Sequence, residues 1–442
     1  MTMDTSTRPD EVAAGERSLA ARARADGVRF LLALFVNLEG KQCAKLVPVE
    51  AVDSFEREGL GFAGFAIGAI GQQPGDPDVV AMPDPASYTP LPSVREGLAL
   101  VHCDPHVEGE PWRYAPRVIL KSLLAQARQR QLELKAGAEI EYFLVTRDAE
   151  GRLVPADGRD TAPHPCYDAR SATRMYDHLT RVSTTMNSLG WGNYSNDHED
   201  ANGQFEQNFA YADALTTADR VITARYVISM LAEQQGMTAT FMPKPFADQT
   251  GSGLHLHLSL WREGSALFPG TGTHGLSDLA LRFLAGLLEH APGMQAVLGP
   301  TVNSYKRTGA ISTRSGATWS PRQITYGGND RTHYLRIPDE HRVELRAGDS
   351  AANPYLALAV ALSAGLDGVD RELDLADPCH PELPPTLLHA VDALTTDAVL
   401  TAALDTVGPG VADYYATRKS DEFFAWHTTV NDWERDHYLT AF

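Results

Sequence analysis

The sequence predicts an α+β fold with a small N-terminal domain and a larger second domain. Apolar residues alternate with polar ones over some short segments, as in strands, and recur at helical spacing over longer ones. These segments follow one another in no strict strand–helix–strand rhythm, which favours α+β over a parallel α/β sheet. The 442 residues are 43% hydrophobic and 21% charged, which is enough apolar content for a large core.

The N-terminal region begins with a polar tail, residues 1–13, which we expect to be mobile and which lacks the apolar run of a secretory signal. Within residues 28–49, two apolar runs flank "NLEGK", and this pattern predicts a hairpin. Residues 45–110 are rich in glycine and proline and predict loops and short strands. The domains are therefore expected at residues 14–111 and 112–442.

The second domain is predicted to mix helices and strands without an internal repeat. Its helices are expected where apolar residues recur at helical spacing and its strands where they alternate. The predicted elements are helices over 115–131, 171–190, 213–236, 277–291, 354–372 and 384–404, and strands over 136–146 and 251–261.

Charge and cysteine content exclude several classes of function. The net charge of −19 disfavours nucleic-acid binding through general electrostatics, because that binding needs a basic surface. No segment of about 18 uninterrupted apolar residues predicts a membrane span. The four cysteines are scattered without metal-binding or disulfide spacing, which fits a reducing cytoplasm.

Carboxylates occur close together in two segments. In "GAEIEYFL", Glu139 and Glu141 are two residues apart, so both lie on one face of the predicted strand. Two like charges in a half-buried strand repel each other and lose hydration, and a cation beside them would relieve that cost. In "NDHEDANGQFEQN", Glu199 and Glu206 bracket a glycine-containing loop. The simpler interpretation of both segments is a solvated surface.

The segment "TGSGLHLHLSLW" alternates leucine with polar residues. Its leucines would line one face of a strand, and His255, His257 and Ser259 would line the other. Imidazole binds metal ions, so the second face could hold one if carboxylates from elsewhere meet it. Taken alone, the pattern indicates a sheet with one wet face.

Arginines surround a third alternating segment, "HRVELRAGDS". Arg342, Glu344 and Arg346 would share one face of a strand, and a carboxylate between two arginines stays ionised. The simpler interpretation is a surface salt-bridge ladder. Upstream, "NSYKR" and "NDRTHYLRIP" add three further arginines.

Together these residues favour a metal-dependent enzyme that uses ATP. Oxygen ligands with an imidazole suit Mg²⁺ or Mn²⁺, and arginines beside such a metal suit a phosphoryl group in transfer. The sequence has no Walker or kinase-type glycine loop, so an unusual fold would bind the nucleotide. A metal hydrolase with the same carboxylates is a second enzymatic interpretation, which the arginines disfavour.

In combination, the motifs resemble the glutamine synthetase family over nearly the whole chain. The matching segments are "VVAMPD", "EIE", "HEDANGQFEQN", "GSGLHLHLSL", "NSYKR", "NDRTHYLRIP" and "RVELRAGDSAANPYLA". The resemblance implies an N-terminal β-grasp domain and a large catalytic domain with an antiparallel sheet and flanking helices. It also implies dodecamers of two hexameric rings, with active sites between subunits. In the implied reaction, ATP and glutamate form γ-glutamyl phosphate, which ammonia attacks.

The resemblance assigns the metal ligands position by position. It implies at least two Mg²⁺ or Mn²⁺ ions per site, with ATP as the co-substrate. One ion would hold the reacting end of glutamate, and the other would bridge the ATP phosphates. The implied ligands are Glu141, Glu199 and Glu206 for the first ion and Glu139, His255 and Glu344 for the second.

The resemblance also assigns substrate contacts. Arg307 resembles the partner of the glutamate α-carboxylate, and Arg331 resembles the group that stabilises the transferring phosphoryl; with Glu206 they are the expected catalytic residues. The residues implied at glutamate are Glu141, Gly251, His255, Arg307 and Arg346. Those implied at ATP are His257, Ser259, Arg331 and Arg336.

The acceptor side departs from the family pattern. Glutamine synthetases carry an ammonium-binding aspartate in an "FDG"-like stretch, where this sequence has "GFAGFAIGAI" with Ala63. They also carry a glutamate on a flap after the "KR" arginine, where this sequence has Ser312 or Thr313. Holding an ammonium ion takes several charge-assisted acceptors, whereas a pocket lined by Ala63, Phe62 and Phe65 suits an alkyl group.

These departures are similar to the γ-glutamylmethylamide synthetase branch of the family, often labelled type III, which "HPCYDAR" (164–170) and "SGATW" also fit. We therefore expect an ATP-dependent ligase that joins glutamate to methylamine or another small alkylamine. Two alternatives stay open. One is a glutamine synthetase in which Asp76 or Asp78 replaces the missing carboxylates, and the other is a non-catalytic paralogue that senses amine or nucleotide.

Overall fold

A computed structural model of the chain describes residues 18–68, 73–375 and 381–442. The expected mobile tail, residues 1–13, and Cys379 lie outside these described residues. Within them the chain forms two β-sheets, each associated with its own helices. Cys43, Cys103 and Cys166 are free thiols.

The N-terminal sheet has seven strands among the described residues. Its elements are α1 (Leu19–Ala25), β1 (Phe30–Val36), β2 (Gln42–Pro48), α2 (Val52–Glu58), β3 (Leu60–Phe62), β4 (Val79–Pro83), β5 (Thr89–Pro90), β6 (Leu98–Val107) and β7 (Glu110–Pro111). The path runs β2-β1-β6-β4-β3, with β5 and β7 also paired to β6. Only β1 and β6 run parallel among these described strands. The predicted hairpin is confirmed, because β1 and β2 pair antiparallel over their full lengths.

Residues 45–110 contain more regular structure than predicted. The short helix α2 and the ten-residue strand β6 both lie in this region. The side chains of β6 from Ala99 to Cys103 are all buried. A strand buried on both faces carries no apolar–polar alternation, so its sequence gave no strand signal of that kind.

The larger sheet has eleven strands within the described ranges. They are β8 (Glu133–Arg147), β9 (Leu153–Pro155), β10 (Asn193–His198), β11 (Gln204–Phe209), β12 (Ala212–Asp213), β13 (Thr238–Thr240), β14 (Leu254–Arg262), β15 (Ser265–Ala266), β16 (Tyr326–Gly327), β17 (Leu335–Asp339) and β18 (Arg342–Leu345). The path is β10-β11-β8-β14-β18-β17-β16. The predicted antiparallel sheet is observed except at one edge, where β16 and β17 run parallel.

The helices of the larger domain pack on the apolar side of this sheet and on one another. They are α3 (Pro116–Gln129), α4 (Ala169–Arg174), α5 (Tyr176–Ser188), α6 (Ala214–Glu233), α7 (Asp278–Glu289), α8 (Ala291–Leu298), α9 (Ser304–Thr308), α10 (Pro354–Asp370), α11 (Leu387–Thr396), α12 (Ala398–Leu404), α13 (Val411–His427) and α14 (Asp432–Tyr438). The four leucines at alternate positions of β14 are buried in the same core, as their spacing predicts. The sheet is therefore fixed from one side, which leaves its polar face for other groups.

Two of the predicted helices are each divided in two. The helix predicted over 171–190 breaks at Met175, whose backbone leaves the helical region. The helix predicted over 384–404 breaks at Asp397, because its carboxylate caps α12 by accepting hydrogen bonds from the N–H groups of Val399 and Leu400 (both 3.0 Å). The same carboxylate accepts a hydrogen bond from His290 (2.6 Å).

No single helix in the described parts of the chain has the length and apolar composition to cross a membrane. The helices α11 and α12 meet those criteria only as a pair, and they are bent by 92° relative to each other.

A buried arginine joins the two domains. Arg117 of α3 donates hydrogen bonds to Asp84 (2.8 Å) and Asp104 (2.7 Å) of the N-terminal domain and to Asp219 of α6 (2.9 Å). Burial would raise the pKa of Asp84, but the Arg117 guanidinium holds that pKa below its ordinary value. All three carboxylates bond one buried cation, so this cluster links the two domains.

Candidate active site

Strand register brings the predicted carboxylates and one histidine together on the polar face of the larger sheet. Glu206 of β11 lies opposite Glu141 of β8, and Glu139 of β8 lies opposite His255 of β14. The next strand, β18, adds Glu344. We call the surface formed by these five side chains and Glu199 the carboxylate wall. It contains all six ligands that the family resemblance implies.

Glu139 lies at the centre of the wall. One of its carboxylate oxygens is 3.1 Å from Nδ1 of His255, and the other is 2.9 Å from Nε2 of His257. The second ring nitrogen of His255, Nε2, is 3.7 Å from Oε1 of Glu141. That nitrogen is buried and has no hydrogen-bond partner among the described residues. A buried imidazole nitrogen that faces a carboxylate without bonding it fits a shared cation.

Three groups of possible metal ligands occur in the described residues, and within each the ligand atoms lie within 4.8 Å of one another. The groups are Glu139, His257 and Glu344; Glu139, Glu206 and His255; and Asp197, Glu199 and Glu206. Two features differ from the expected sets. His257, which was expected to contact ATP, lies among the candidate metal ligands. Asp197, which was not predicted, lies in one group with Glu199 and Glu206.

The carboxylates of the wall have strongly perturbed pKa values. Burial, reinforced by the neighbouring carboxylates, raises the pKa of both Glu199 and Glu206 well above its ordinary value. Burial acts in the same direction on Glu139, but hydrogen bonds from His255 and His257 outweigh it and hold the pKa of Glu139 well below its ordinary value. Buried like charges of this kind are relieved by a divalent cation, which suits the hard oxygen donors present.

Glu344 is paired with two arginines, as its sequence context predicts, but one of them is not the predicted one. Its side chain is fully buried and bonds Arg336 (2.6 Å) and Arg346. Burial would raise the pKa of Glu344, but the charges of His255 and Arg346 lower it. Arg342, predicted to flank it, instead lies 3.2 Å from the carboxylate of Asp339. The second arginine partner of Glu344 is therefore Arg336 of the neighbouring strand β17, which the pattern of β18 alone cannot reveal.

The expected glutamate contacts lie beside the wall. Arg307 is 3% exposed and donates a hydrogen bond to the carbonyl oxygen of Ala347 (3.2 Å). A side chain at Gly253 would come within 2.6 Å of Nε2 of His255 and 2.9 Å of Nη2 of Arg307. Glycine at this position keeps the space between His255 and Arg307 open. Sequence reasoning named Gly251 and missed Gly253, although both belong to "GSG".

A cavity of about 620 Å³ adjoins the wall at its Glu139 and His257 end. His257 and Ser259 line it, as expected for nucleotide contacts, and Tyr211 and Trp261 add aromatic rings 6.3 Å apart at 30°. The Nζ atom of Lys135 lies 3.9 Å from the centre of the Trp261 ring. Rings and a cation beside metal ligands suit a purine base and phosphates. Trp261 continues the alternation of β14, so the sequence did carry a signal for it.

A second cavity has a volume of about 800 Å³. Arg331 lines it together with residues 317–320 of the loop that follows α9. Arg336, also expected at the phosphates, is committed to Glu344 and to the side chain of Asn329 (2.9 Å).

The residues expected to form the amine pocket occupy two separate elements. Ala63 and Phe65 are exposed on the N-terminal domain, whereas Phe62 is buried and packs edge-on against Phe35 with ring centres 5.0 Å apart. The Phe62 ring thus belongs to the core of its own domain. Ser312 is exposed and Thr313 is half-buried on the loop after α9.

Comparison with known proteins agrees with this architecture. The family described as glutamine synthetase, catalytic domain, matches residues 113–438. The chain belongs to the glutamine synthetase family, whose members are ATP-dependent ligases that use divalent metals. The family and the fold predicted from the motifs are therefore confirmed.

Similar proteins carry two different names. The chain is 41% identical over 437 residues to a glutamine synthetase of Rhizobium leguminosarum bv. phaseoli, covering 95% of this chain and 99% of that protein. It is 40% identical over 435 residues to a glutamate–methylamine ligase of Methyloversatilis universalis, covering 94% and 97%. Among solved structures, a GmaS/ADP complex is similar with a TM-score of 0.90 and 45% identity, covering 96% of this chain and 99% of that one.

Proposed function

We propose that this ligase joins the γ-carboxylate of L-glutamate to methylamine or another small alkylamine, giving a γ-glutamylalkylamide, ADP and phosphate. The observation that carries the proposal is the loss of the expected carboxylates from the acceptor side of the site. By the family resemblance, Ala63 and Ser312 or Thr313 take the places at which glutamine synthetases have carboxylates for ammonium. Ala63 and Phe65 offer an exposed apolar surface there. The similarity to a glutamate–methylamine ligase and to GmaS structures supports it further.

The residues of the site fit divalent metal ions, Mg²⁺ or Mn²⁺. The carboxylate wall would hold them through its oxygens and through His255, whose Nε2 is buried without a partner among the described residues. Bound there, the ions would neutralise the ATP phosphates and orient the acceptor carboxylate. Arg307 would bind the glutamate α-carboxylate, and Arg331 would stabilise charge on the phosphoryl group.

The proposed chemistry has two steps. An oxygen of the glutamate γ-carboxylate attacks the γ-phosphorus of ATP, ADP leaves, and γ-glutamyl phosphate forms. The amine nitrogen then attacks the γ-carbonyl carbon, and phosphate leaves. A small alkylamine with a lysine-like pKa of about 10.4 is protonated at neutral pH, so a group of the site must accept a proton.

The position of the amine-pocket residues supports a site completed by a second subunit. Ala63 and Phe65 are exposed on the surface of their own N-terminal domain. A neighbouring subunit would bring these residues to the acceptor end, in a dodecamer of two hexameric rings. Light scattering coupled to size-exclusion chromatography tests this, and a purely monomeric active enzyme would contradict it.

One observation favours ammonia as a second candidate acceptor. Phe62 pairs with Val79 across β3 and β4, which places Asp78 beside Ala63 at the ends of the two strands. Asp78 is exposed, so its carboxylate is free to serve the same surface as Ala63. A non-catalytic sensor is disfavoured, because the wall holds all six expected ligands. Loss of ligase activity in Glu206→Ala would exclude a sensor.

The deciding experiment measures ADP release with glutamate, ATP and Mg²⁺ for ammonia, methylamine, ethylamine, ethanolamine and putrescine. The proposal expects the highest kcat/KM with a small alkylamine, and a higher value with ammonia than with every amine would refute it. Ala63→Asp should raise ammonia use relative to methylamine. The matched control is Ala66→Asp, which adds the same charge at another exposed position of the same turn.

A further inference from the structure

We infer that Asp200 is a positioning residue that fastens the loop of residues 309–320 over the acceptor side of the site. The inference rests on the proposed function, because it concerns the protection of γ-glutamyl phosphate. Asp200 follows Glu199 of the carboxylate wall directly in the sequence. It has no role among the ligands and substrate contacts that the motifs imply.

Two donors from the loop converge on one oxygen of Asp200. The hydroxyl of Ser315 donates to Oδ2 of Asp200 at 2.5 Å, and the indole N–H of Trp319 donates to the same oxygen at 2.6 Å. Asp200 is 7% exposed, so water competes little for these bonds. Hydrogen bonds to a buried carboxylate are among the strong ones in proteins. Thr250, the residue before Gly251, also donates to Asp200 (3.3 Å).

Trp319 shows that the loop is held in a particular conformation. Its backbone φ of 53° is in the left-handed region, which is unfavourable for a bulky residue, and the residue is 42% exposed. Burial of the ring therefore does not explain the strain. The indole N–H is held by Asp200, and the carbonyl oxygen accepts a hydrogen bond from Arg346 (3.4 Å), an expected glutamate contact.

The fastened loop forms part of the site rather than a separate surface. Residues 317–320 are one wall of the 800 Å³ cavity that contains Arg331. The loop begins directly after α9, which carries Arg307. It is thus connected to Arg307, Arg331 and Arg346, the three arginines expected around glutamate and the phosphoryl group.

The chemical consequence concerns water. When the loop is released, water reaches the γ-carbonyl carbon of γ-glutamyl phosphate in place of the amine. Water then loses a proton to solvent, the bond from carbon to the phosphate oxygen breaks, phosphate leaves and glutamate is regenerated. The net reaction is hydrolysis of ATP to ADP and phosphate without amide. Release of the loop from Asp200 would therefore raise the ratio of ADP released to amide formed.

The test compares that ratio in wild type, Trp319→Phe and Ser315→Ala. Each substitution removes one donor to Asp200 from the loop and keeps every metal ligand. The proposal expects a ratio near one for wild type, a raised ratio for both variants, and an increase of about tenfold in the KM for glutamate for Trp319→Phe. The KM for ATP should stay unchanged. If Trp319→Phe keeps both the wild-type ratio and the wild-type KM for glutamate, the proposal is overturned.

Two controls separate this role from a structural one and from the proposed function. Trp433→Phe removes an indole N–H from an exposed tryptophan of α14 and should leave the ratio unchanged. Asp200→Asn keeps an oxygen acceptor, so its ratio of ADP to amide should be lower than that of Asp200→Ala. An equally raised ratio in the two variants would contradict the role of Asp200. If wild type shows no glutamate- and amine-dependent ADP release, the proposed function fails before any variant is compared.

Discussion

The two sides of the candidate active site are built in different ways. Five of the six side chains of the carboxylate wall project from neighbouring strands, and the sixth, Glu199, directly follows β10; backbone pairing therefore sets positions such as Glu139 opposite His255. The loop of residues 309–320 is attached through the side chains of Ser315 and Trp319, which bond Asp200, and through Arg314, whose side chain and backbone N–H both bond Asp248. The wall is therefore preorganised by the fold, whereas the acceptor side depends on a few replaceable bonds. Under the proposed function, metal and phosphate chemistry belongs to the rigid side and the choice of acceptor to the adjustable side.

The largest effect is expected from Glu206→Ala on the wall. Glu206 belongs to two of the candidate ligand groups, so its loss weakens both. We expect amine-dependent ADP release to fall by at least about 100-fold. Even mutation of a residue that only hydrogen-bonds a metal ligand lowers metal affinity or activity by up to about 100-fold. Glu133→Ala is the matched control, because Glu133 is exposed at the start of the same sheet's β8. Full activity in Glu206→Ala would refute the assignment of the wall.

A somewhat smaller effect is expected from metal addition to metal-free protein. Mg²⁺ relieves the repulsion among Glu139, Glu199 and Glu206, so it should raise the melting temperature. At about 100 times its Kd, a ligand of the native state adds about 2.7 kcal/mol to the free energy of unfolding. Differential scanning calorimetry with and without Mg²⁺ measures this. Glu206→Ala should show a smaller increase, and an equal increase would place the metal elsewhere.

His290 provides a comparison with a rigid cluster outside the site. Burial would lower its pKa, but hydrogen bonds to Asp397 (2.6 Å) and Asp367 (2.9 Å) outweigh burial and raise that pKa above its ordinary value. A raised pKa gives stabilisation that is complete below the ordinary value of 6.5 and is lost as the pH rises through the folded value. His290→Gln should therefore cost about 2 kcal/mol near pH 6 and less at alkaline pH.

Chemical denaturation at several pH values measures this cost. Because the cluster lies away from the loop, the ratio of ADP to amide should not change in His290→Gln. A cost that grows with rising pH would contradict the assignment of a charged histidine.

The smallest effect is expected from Arg314→Ala within the loop itself. Arg314 pairs with Asp248 at 2.6 Å, but about half of each side chain is exposed, so the pair is screened by water. Such pairs contribute about 0.5 kcal/mol or less. The glutamate KM should change less than about twofold, in contrast to Trp319→Phe. A large change would show that Asp200 is not the main fastening of the loop.

The wall could be predicted from sequence in part. Alternation along β8 and β14 assigns Glu139, Glu141 and His255 to polar faces, and the leucines of β14 identify the buried side. Alternation within one strand does not give the register between strands, so the pairing of Glu344 with Arg336 rather than Arg342 emerges only from the structure.

The fastening of the loop could not be predicted. Ser315 and Trp319 are 115 and 119 residues from Asp200 in sequence, and no local pattern links such positions. The break at Asp397 has a similar origin, because its carboxylate caps a helix and also meets His290, which comes from elsewhere in the chain. Long-range side-chain contacts of this kind are a consequence of the fold and leave no periodic signal.

Glu139 is shared by two candidate ligand groups, one with His257 and Glu344 at the 620 Å³ cavity and one with Glu206 and His255 on the side of the expected glutamate contacts. A single carboxylate cannot serve both neighbours independently. Occupancy at one end therefore alters the free energy of occupancy at the other, and this linkage is reciprocal. Under the proposed function, the binding of nucleotide and the binding of glutamate should be coupled, with equal mutual effects on their dissociation constants, and Glu139→Gln should weaken that coupling.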